Sequence, residues 1–186
     1  YRYIKSFTKH GQNGLCILSK SRLFNNGYIK FDNSINGFIY SSTIYKKDTI
    51  QVYNLHLESL RINTKDTLFR KQNSKKFFDR INNLIKKQED QAEIFKDTDK
   101  ENIHPVIICT DLNNNAFSKA YQGIKNKRID SFKEIGDGFG TTYNFVYLPL
   151  RIDFIFVDPQ MRIIKFKTHD INLSDHNPIS AVIDWK

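Results

Sequence analysis

Apolar side chains recur at every second position in several short stretches of the chain and at helical spacing in one long stretch. Residues 15–19, 38–45 and 50–57 are apolar runs bounded by Gly, Asn and Ser, a pattern that predicts strands. The last two are separated by the turn-like Lys46-Lys47-Asp48 and read as a hairpin. In the second of them Ile50, Val52, Asn54, His56 and Glu58 share one face, while Tyr53, Leu55 and Leu57 keep the other apolar. A sheet covered on both sides is expected there. From 65 to 95 the period changes. Phe77, Ile81, Leu84, Ile85, Gln88, Ala92 and Phe95 fall along one stripe, with Lys75, Lys76, Arg80, Lys86 and Lys87 mostly off it. This predicts a long amphipathic helix, broken near Asn73-Ser74.

A polar connector over 96–104 leads to Pro105 and a buried strand, Val106-Ile107-Ile108-Cys109, that stops at Thr110-Asp111. A short helical piece over 117–121, a Gly-rich loop over 136–140 and strands at 151–157, 161–167 and 178–184 complete the pattern. Helix and strand alternate in the middle and strands cluster toward the end, which fits a layered α/β or α+β sandwich. No repeat or linker divides the chain, so residues 1–186 read as one domain.

Composition narrows the class. Aromatic residues reach 13%, with 15 Phe and 9 Tyr, enough for a dense core and incompatible with a disordered segment. No run approaches the roughly 18 apolar residues of a membrane span, so these residues read as a soluble domain. The net charge of +9 attracts polyanions such as nucleic acid, anionic lipid or phosphorylated metabolites, although a solvated lysine-rich surface accounts for it equally well. Cys16 and Cys109 lie in apolar runs without metal-ligand spacing and read as buried small hydrophobes.

Four polar features interrupt the apolar pattern. His56 falls where a strand face turns polar, a place commonly held by a structural histidine. Asp111 and Asn113 follow the buried strand 106–109 at its carboxyl end, where ligands bind in open α/β sheets and where ordinary turns also use Asp and Asn. Asp153 shares a face with Ile155 and Val157, so its carboxylate requires a cationic or hydrogen-bonding partner. Ser174-Asp175-His176 precedes the last strand, and His176 is a plausible partner for Asp153, since a carboxylate can fix an imidazole's tautomer.

Taken in order, these stretches resemble the endonuclease/exonuclease/phosphatase superfamily. The superfamily comprises metal-dependent phosphoesterases, among them pancreatic-type deoxyribonucleases, abasic-site endonucleases, neutral sphingomyelinases and inositol polyphosphate phosphatases. Gly14-Leu15-Cys16-Ile17-Leu18-Ser19-Lys20 is similar to its early glycine strand, and Tyr53-Asn54-Leu55-His56-Leu57 to its histidine strand. Thr110-Asp111-Leu112-Asn113 is similar to its Gly-Asp-Phe-Asn motif, with Thr110 in place of the glycine. Arg151-Ile152-Asp153-Phe154-Ile155 resembles the strand with the His-orienting aspartate, and Ser174-Asp175-His176 the closing Ser-Asp-His.

The resemblance implies an α/β fold, a four-layer α-β-β-α sandwich with two mixed sheets, truncated at its N-terminus. It implies hydrolysis of phosphodiesters, most readily in nucleic acid, with lipid or small-molecule phosphate esters, as in sphingomyelinases and inositol phosphatases, as the alternative and an inactive phosphate-binding module as the second. Asp111 would orient or deprotonate the attacking water, and Asn113 would hold a phosphate oxygen. His176, set by Asp153, would stabilise the developing charge, and His56 would contact the scissile phosphate or help protonate the leaving group. Asp175 would lie at a Mg²⁺ site, with Mn²⁺ as a substitute. The family's metal-binding glutamate and an early asparagine lie upstream of the glycine strand and have no counterpart here. These residues are therefore expected to be an inactive carboxyl-terminal portion, and any membrane tether would belong to the preceding segment.

Overall fold

The computed structural model describes residues 1–8, 13–60, 74–145, 148–171 and 173–186. In chain order these form β1 (Arg2–Ser6), β2 (Gly14–Leu18), β3 (Phe24–Lys30), β4 (Gly37–Tyr45), β5 (Asp48–His56), α1 (Ser74–Asp99), β6 (Val106–Asp111), α2 (Lys119–Lys125), β7 (Ile129–Asp130), α3 (Ser131–Ile135), β8 (Tyr143–Phe145), β9 (Leu148–Leu150), β10 (Asp153–Val157), β11 (Met161–Thr168) and β12 (Ile179–Trp185). Six strands make one mixed sheet in the order β3-β4-β5-β6-β10-β7. The predicted hairpin is β4-β5, turning at Lys46, whose φ of 59° lies in the left-handed region. β5 and β6 pair in parallel, with α1 in the connection between them, as a parallel pair requires.

The alternation read along β5 is the alternation observed. Tyr53 and Leu55 join Phe38, Ile108, Phe154 and Phe156 on one face, under Ala92 and Phe95 of α1 and Tyr121 and Ile124 of α2. Ile50 and Val52 lie on the other face with Ile39, Ile107, Ile155 and Val157. Two ribbons, β1-β2 and β11-β12, cover that second face. The fold is therefore mixed α/β, and among the described residues the second face carries separate two-stranded ribbons rather than one continuous sheet.

Between the ribbons runs a groove of about 270 Å³, flanked by Leu15 of β2 and Ile179 of β12 and floored by Asn54, Cys109 and Ile155. The groove corrects the expectation that both cysteines are buried. Cys109 opens into it, and Cys16 points away from the sheet on the outer side of β2, opposite inward-facing Ile17. Although Cys109 is exposed to the groove, the protein around the groove floor desolvates its thiol and pushes its pKa up to about 11. Only about one thiol in 10³ is then ionised at pH 8, so Cys109 is expected to react with iodoacetamide about 10²-fold more slowly than an ordinary thiol. Mass spectrometry of partly alkylated native protein checks this, and labelling at the rate of a free thiol would contradict it.

The remaining differences have local causes. β3 is absent from the predicted strands; it contains the turn-favouring Asn25, Asn26 and Gly27, and its pairing with β4 shifts register between Phe24 and Gly27. α2 begins two residues later than predicted because Ser118 Oγ accepts the Tyr121 N–H at 3.1 Å and caps it. α1 begins at Ser74 and runs past residue 95 to Asp99, while the predicted helical stretch 65–73 lies outside the described residues. No helix among the described residues is long and apolar enough to cross a membrane.

Candidate active site

Strand register assembles the centre. His56, the last residue of β5, pairs with Asp111, the last of β6, and Asp111 pairs with Asp153, the first of β10. The three side chains thus stand in one row across neighbouring strands, at the end of the sheet where β5 and β6 finish and β10 begins. The loop before β12 adds His176, whose backbone bridges Tyr143. His56 Nε2 lies 3.3 Å from Asp111 Oδ2, and His176 Nε2 lies 4.0 Å from the same oxygen. His176 Nδ1 is 2.9 Å from Asp153 Oδ2, in the pairing the sequence predicts. Asn113 donates its backbone N–H to Asp111 Oδ1 at 2.7 Å and its side-chain amide to Leu57 O at 3.2 Å, 3.5 Å from His56 Nε2.

Charge in this row is unevenly balanced. The hydrogen bond to Asp153, with the charges of Asp153, Asp111 and Asp175 adding to it, raises the His176 pKa above 6.5 against the effect of burial. Asp153 is itself raised above 3.8, because burial and the neighbouring Asp111 charge outweigh its bonds to His176 and Thr142. Three carboxylates, of Asp111, Asp153 and Asp175, stand at or beside the centre with two imidazoles, of His56 and His176. With Nδ1–H given to Asp153, the other nitrogen of His176 faces the cleft as a donor whenever the ring is protonated.

Five of the six sequence-predicted residues, His56, Asp111, Asn113, Asp153 and His176, come together here. Asp175 stands beside the centre. Its side chain is exposed and accepts a 3.1 Å bond from Ser174 Oγ, while its backbone oxygen accepts from Asn144 N. Among the described residues the group able to hold a metal ion is Asp111, Asp153 and His176, whose ligand atoms lie within 4.8 Å of one another.

Two supporting residues escaped sequence reading. Thr142, fully buried, accepts the backbone N–H groups of Ile152 and Asp153 on its Oγ1, each at 3.0 Å, and its carbonyl accepts Asn177 N–H at 2.7 Å. It thereby joins the strand of Asp153 to the loop of His176. The Tyr143 ring packs 4.8 Å from the His176 imidazole. Thr142 and Tyr143 stand in no spacing that marks them; only the fold brings them to Asp153 and His176.

Comparison with known proteins agrees with this architecture. The model of the "Endonuclease/Exonuclease/phosphatase family" matches residues 1–176. No curated protein matches. A functionally unknown conserved protein from Enterococcus faecalis V583 is 14% identical with a TM-score of 0.73, covering 100% of this chain and 77% of that one. Humanized D. rerio TDP2 is 15% identical, with a TM-score of 0.70 and coverage of 98% and 76%. The D. rerio protein in complex with a single-strand DNA product gives 15%, 0.61, 88% and 68% for the same quantities. The human Nocturnin catalytic domain with bound sulfate is 12% identical, with a TM-score of 0.69 and coverage of 100% and 72%.

Proposed function

Because the chain belongs to the endonuclease/exonuclease/phosphatase family, we propose that its centre serves metal-dependent hydrolysis of phosphodiesters, with nucleic acid as the substrate class. The observation that carries this reading is the Asp153–His176 pair, held at 2.9 Å and turned toward Asp111. In the proposed reaction Asp111 orients and deprotonates water, which attacks phosphorus. Protonated His176 donates to a phosphoryl oxygen as charge develops there, and Asp153 keeps that imidazole in place. Asn113 holds a second phosphate oxygen through its amide. His56 contacts the scissile phosphate and delivers a proton to the departing oxygen.

The carboxylate oxygens of Asp111 and Asp153 fit a hard cation, and we assign Mg²⁺, with Mn²⁺ as its substitute. Asp111, of the Asp111, Asp153 and His176 group, would hold it with Asp175 beside the centre. Bound there, the ion would polarise the phosphoryl oxygen as a Lewis acid. A net charge of +9 supports a polyanionic substrate, and so does the DNA product seen with D. rerio TDP2.

The test is calorimetric titration of the protein with Mg²⁺ and turnover of a single-stranded oligonucleotide. The protein is expected to bind the ion and cleave, with affinity for the oligonucleotide falling steeply as salt rises. Preference for phospholipid or a sugar phosphate would replace nucleic acid as substrate, and salt-sensitive binding without cleavage would make this a binding module.

A further inference from the structure

α1 reaches the centre through one side chain that the proposed reaction does not use. Gln88 is fully buried, beside Gln91 on the face of α1 that also carries Ala92 and Phe95. Its Nε2 donates to Glu58 O at 2.6 Å, just beyond the end of β5, and lies 3.3 Å from both Leu112 O and Asn113 O, just beyond the end of β6. Its Oε1 accepts from Asn114 Nδ2 at 2.8 Å. One amide thus joins the exits of the two parallel strands that carry His56 and Asp111. Its orientation is fixed, because turning it over would set an oxygen against three carbonyl oxygens and a nitrogen against the Asn114 donor.

What this amide holds is a tight turn. Asn113 has a φ of 48°, in the left-handed region that Asn enters more readily than other non-glycine residues. That turn directs the Asn113 side chain back to Leu57 O and His56. Without the Gln88 amide, the carbonyls of Leu112 and Asn113 would lose a buried donor, and the loop would gain by turning them toward water. The Asn113 amide would move with them. Neighbouring Gln91 also reaches β5, through Glu58 N, but it bonds none of the β6 exit loop.

We propose that Gln88 is a positioning residue of the active centre, setting the β6 exit loop so that Asn113 meets the phosphate beside His56. The proposal rests on the reading of the centre as a phosphodiesterase, and it makes a claim about geometry that can be read without turnover. Gln88→Met keeps the length and burial of the side chain and removes both its donor and its acceptor. Ile124→Ala is the control: it removes a fully buried side chain of α2 from the same core.

In the metal-free protein, nuclear magnetic resonance of Gln88→Met is expected to show the Asn113 side-chain amide and the His56 ring displaced or broadened, with Ile124→Ala leaving both in place. In the form that cleaves bis(p-nitrophenyl) phosphate, Gln88→Met is expected to lower kcat by roughly 10²-fold, the cost of an ångström-scale misplacement, with a much smaller change in KM. Ile124→Ala is expected to lower the melting temperature and to lower kcat far less than Gln88→Met does. The proposal is overturned if Gln88→Met leaves the Asn113 and His56 resonances where they are, or if the two variants disturb resonances and kcat alike. If no form cleaves the diester, the phosphodiesterase reading fails, and the resonance measurement still decides the role of Gln88.

Discussion

Asp153→Asn is expected to lower phosphodiester turnover by about 10²–10⁴-fold and to draw the His176 pKa downward while the fold stays intact. The replacement is isosteric, and the Asp153 backbone N–H keeps its bond to Thr142 Oγ1. What is lost is the carboxylate whose hydrogen bond is the largest cause of the raised His176 pKa. Burial then acts on the imidazole with less opposition, and the protonated form that donates to phosphate is withdrawn at lower pH. The stability consequence has a definite sign. A histidine raised in the folded state contributes stability that is full below its unfolded value of 6.5 and is lost as pH rises through the higher folded value. Asp153, also raised, contributes in the same sense at lower pH, from 3.8 up to its own folded value. Urea unfolding of the wild type should therefore show stability declining as pH rises above 6.5, and the variant should show a smaller decline. Titration of the His176 ring protons in metal-free protein checks the premise, and an unmoved pKa in Asp153→Asn would remove Asp153 from the mechanism.

The centre was more legible in the sequence than the frame around it. A carboxylate beginning a strand face that continues into Ile155 and Val157 demands a partner, the imidazole before the last strand is a candidate for it, and the 2.9 Å pair answers that demand. The β4-β5 hairpin and the buried strand β6 were equally plain, because each strand is a short apolar run bounded by turn-forming or polar residues. β3 was hidden by Asn25, Asn26 and Gly27, whose turn character the pairing absorbs as an irregularity. α3 has five residues, too few to display a helical period, and it is defined by the Asp130 cap rather than by a stripe. The cysteines misled because an apolar run gives the strand but not what covers it: Cys109 faces the groove and Cys16 the outer side of its ribbon. Thr142 and Gln88 were invisible for a related reason, since each acts by hydrogen bonds to backbone far along the chain, and such bonds leave no spacing in a sequence.

Asp111→Asn should be as damaging to turnover as Asp153→Asn, by a different route and with a different signature. Asp111 is the middle of the row His56, Asp111, Asp153 set by strand register. Its Oδ1 takes the Asn113 N–H at 2.7 Å, a bond an asparagine oxygen preserves, so the exit loop and the left-handed turn at Asn113 are expected to remain. Its Oδ2, 3.3 Å from His56 Nε2 and 4.0 Å from His176 Nε2, becomes an amide NH₂ without charge or basicity. Loss of a positioned base lowers kcat by about 10²–10⁴-fold, and higher pH cannot restore it because the amide does not titrate. The Asp111 charge raises the pKa of both Asp153 and His176, so both are expected to fall in the variant. In Asp153→Asn, by contrast, the falling histidine has lost its bonded partner. Ring-proton titration should therefore find His176 still raised by Asp153 in Asp111→Asn, but less than in the wild type. Turnover at the wild-type rate in Asp111→Asn would place the base elsewhere in the cluster and leave Asp111 only the task of holding the Asn113 loop.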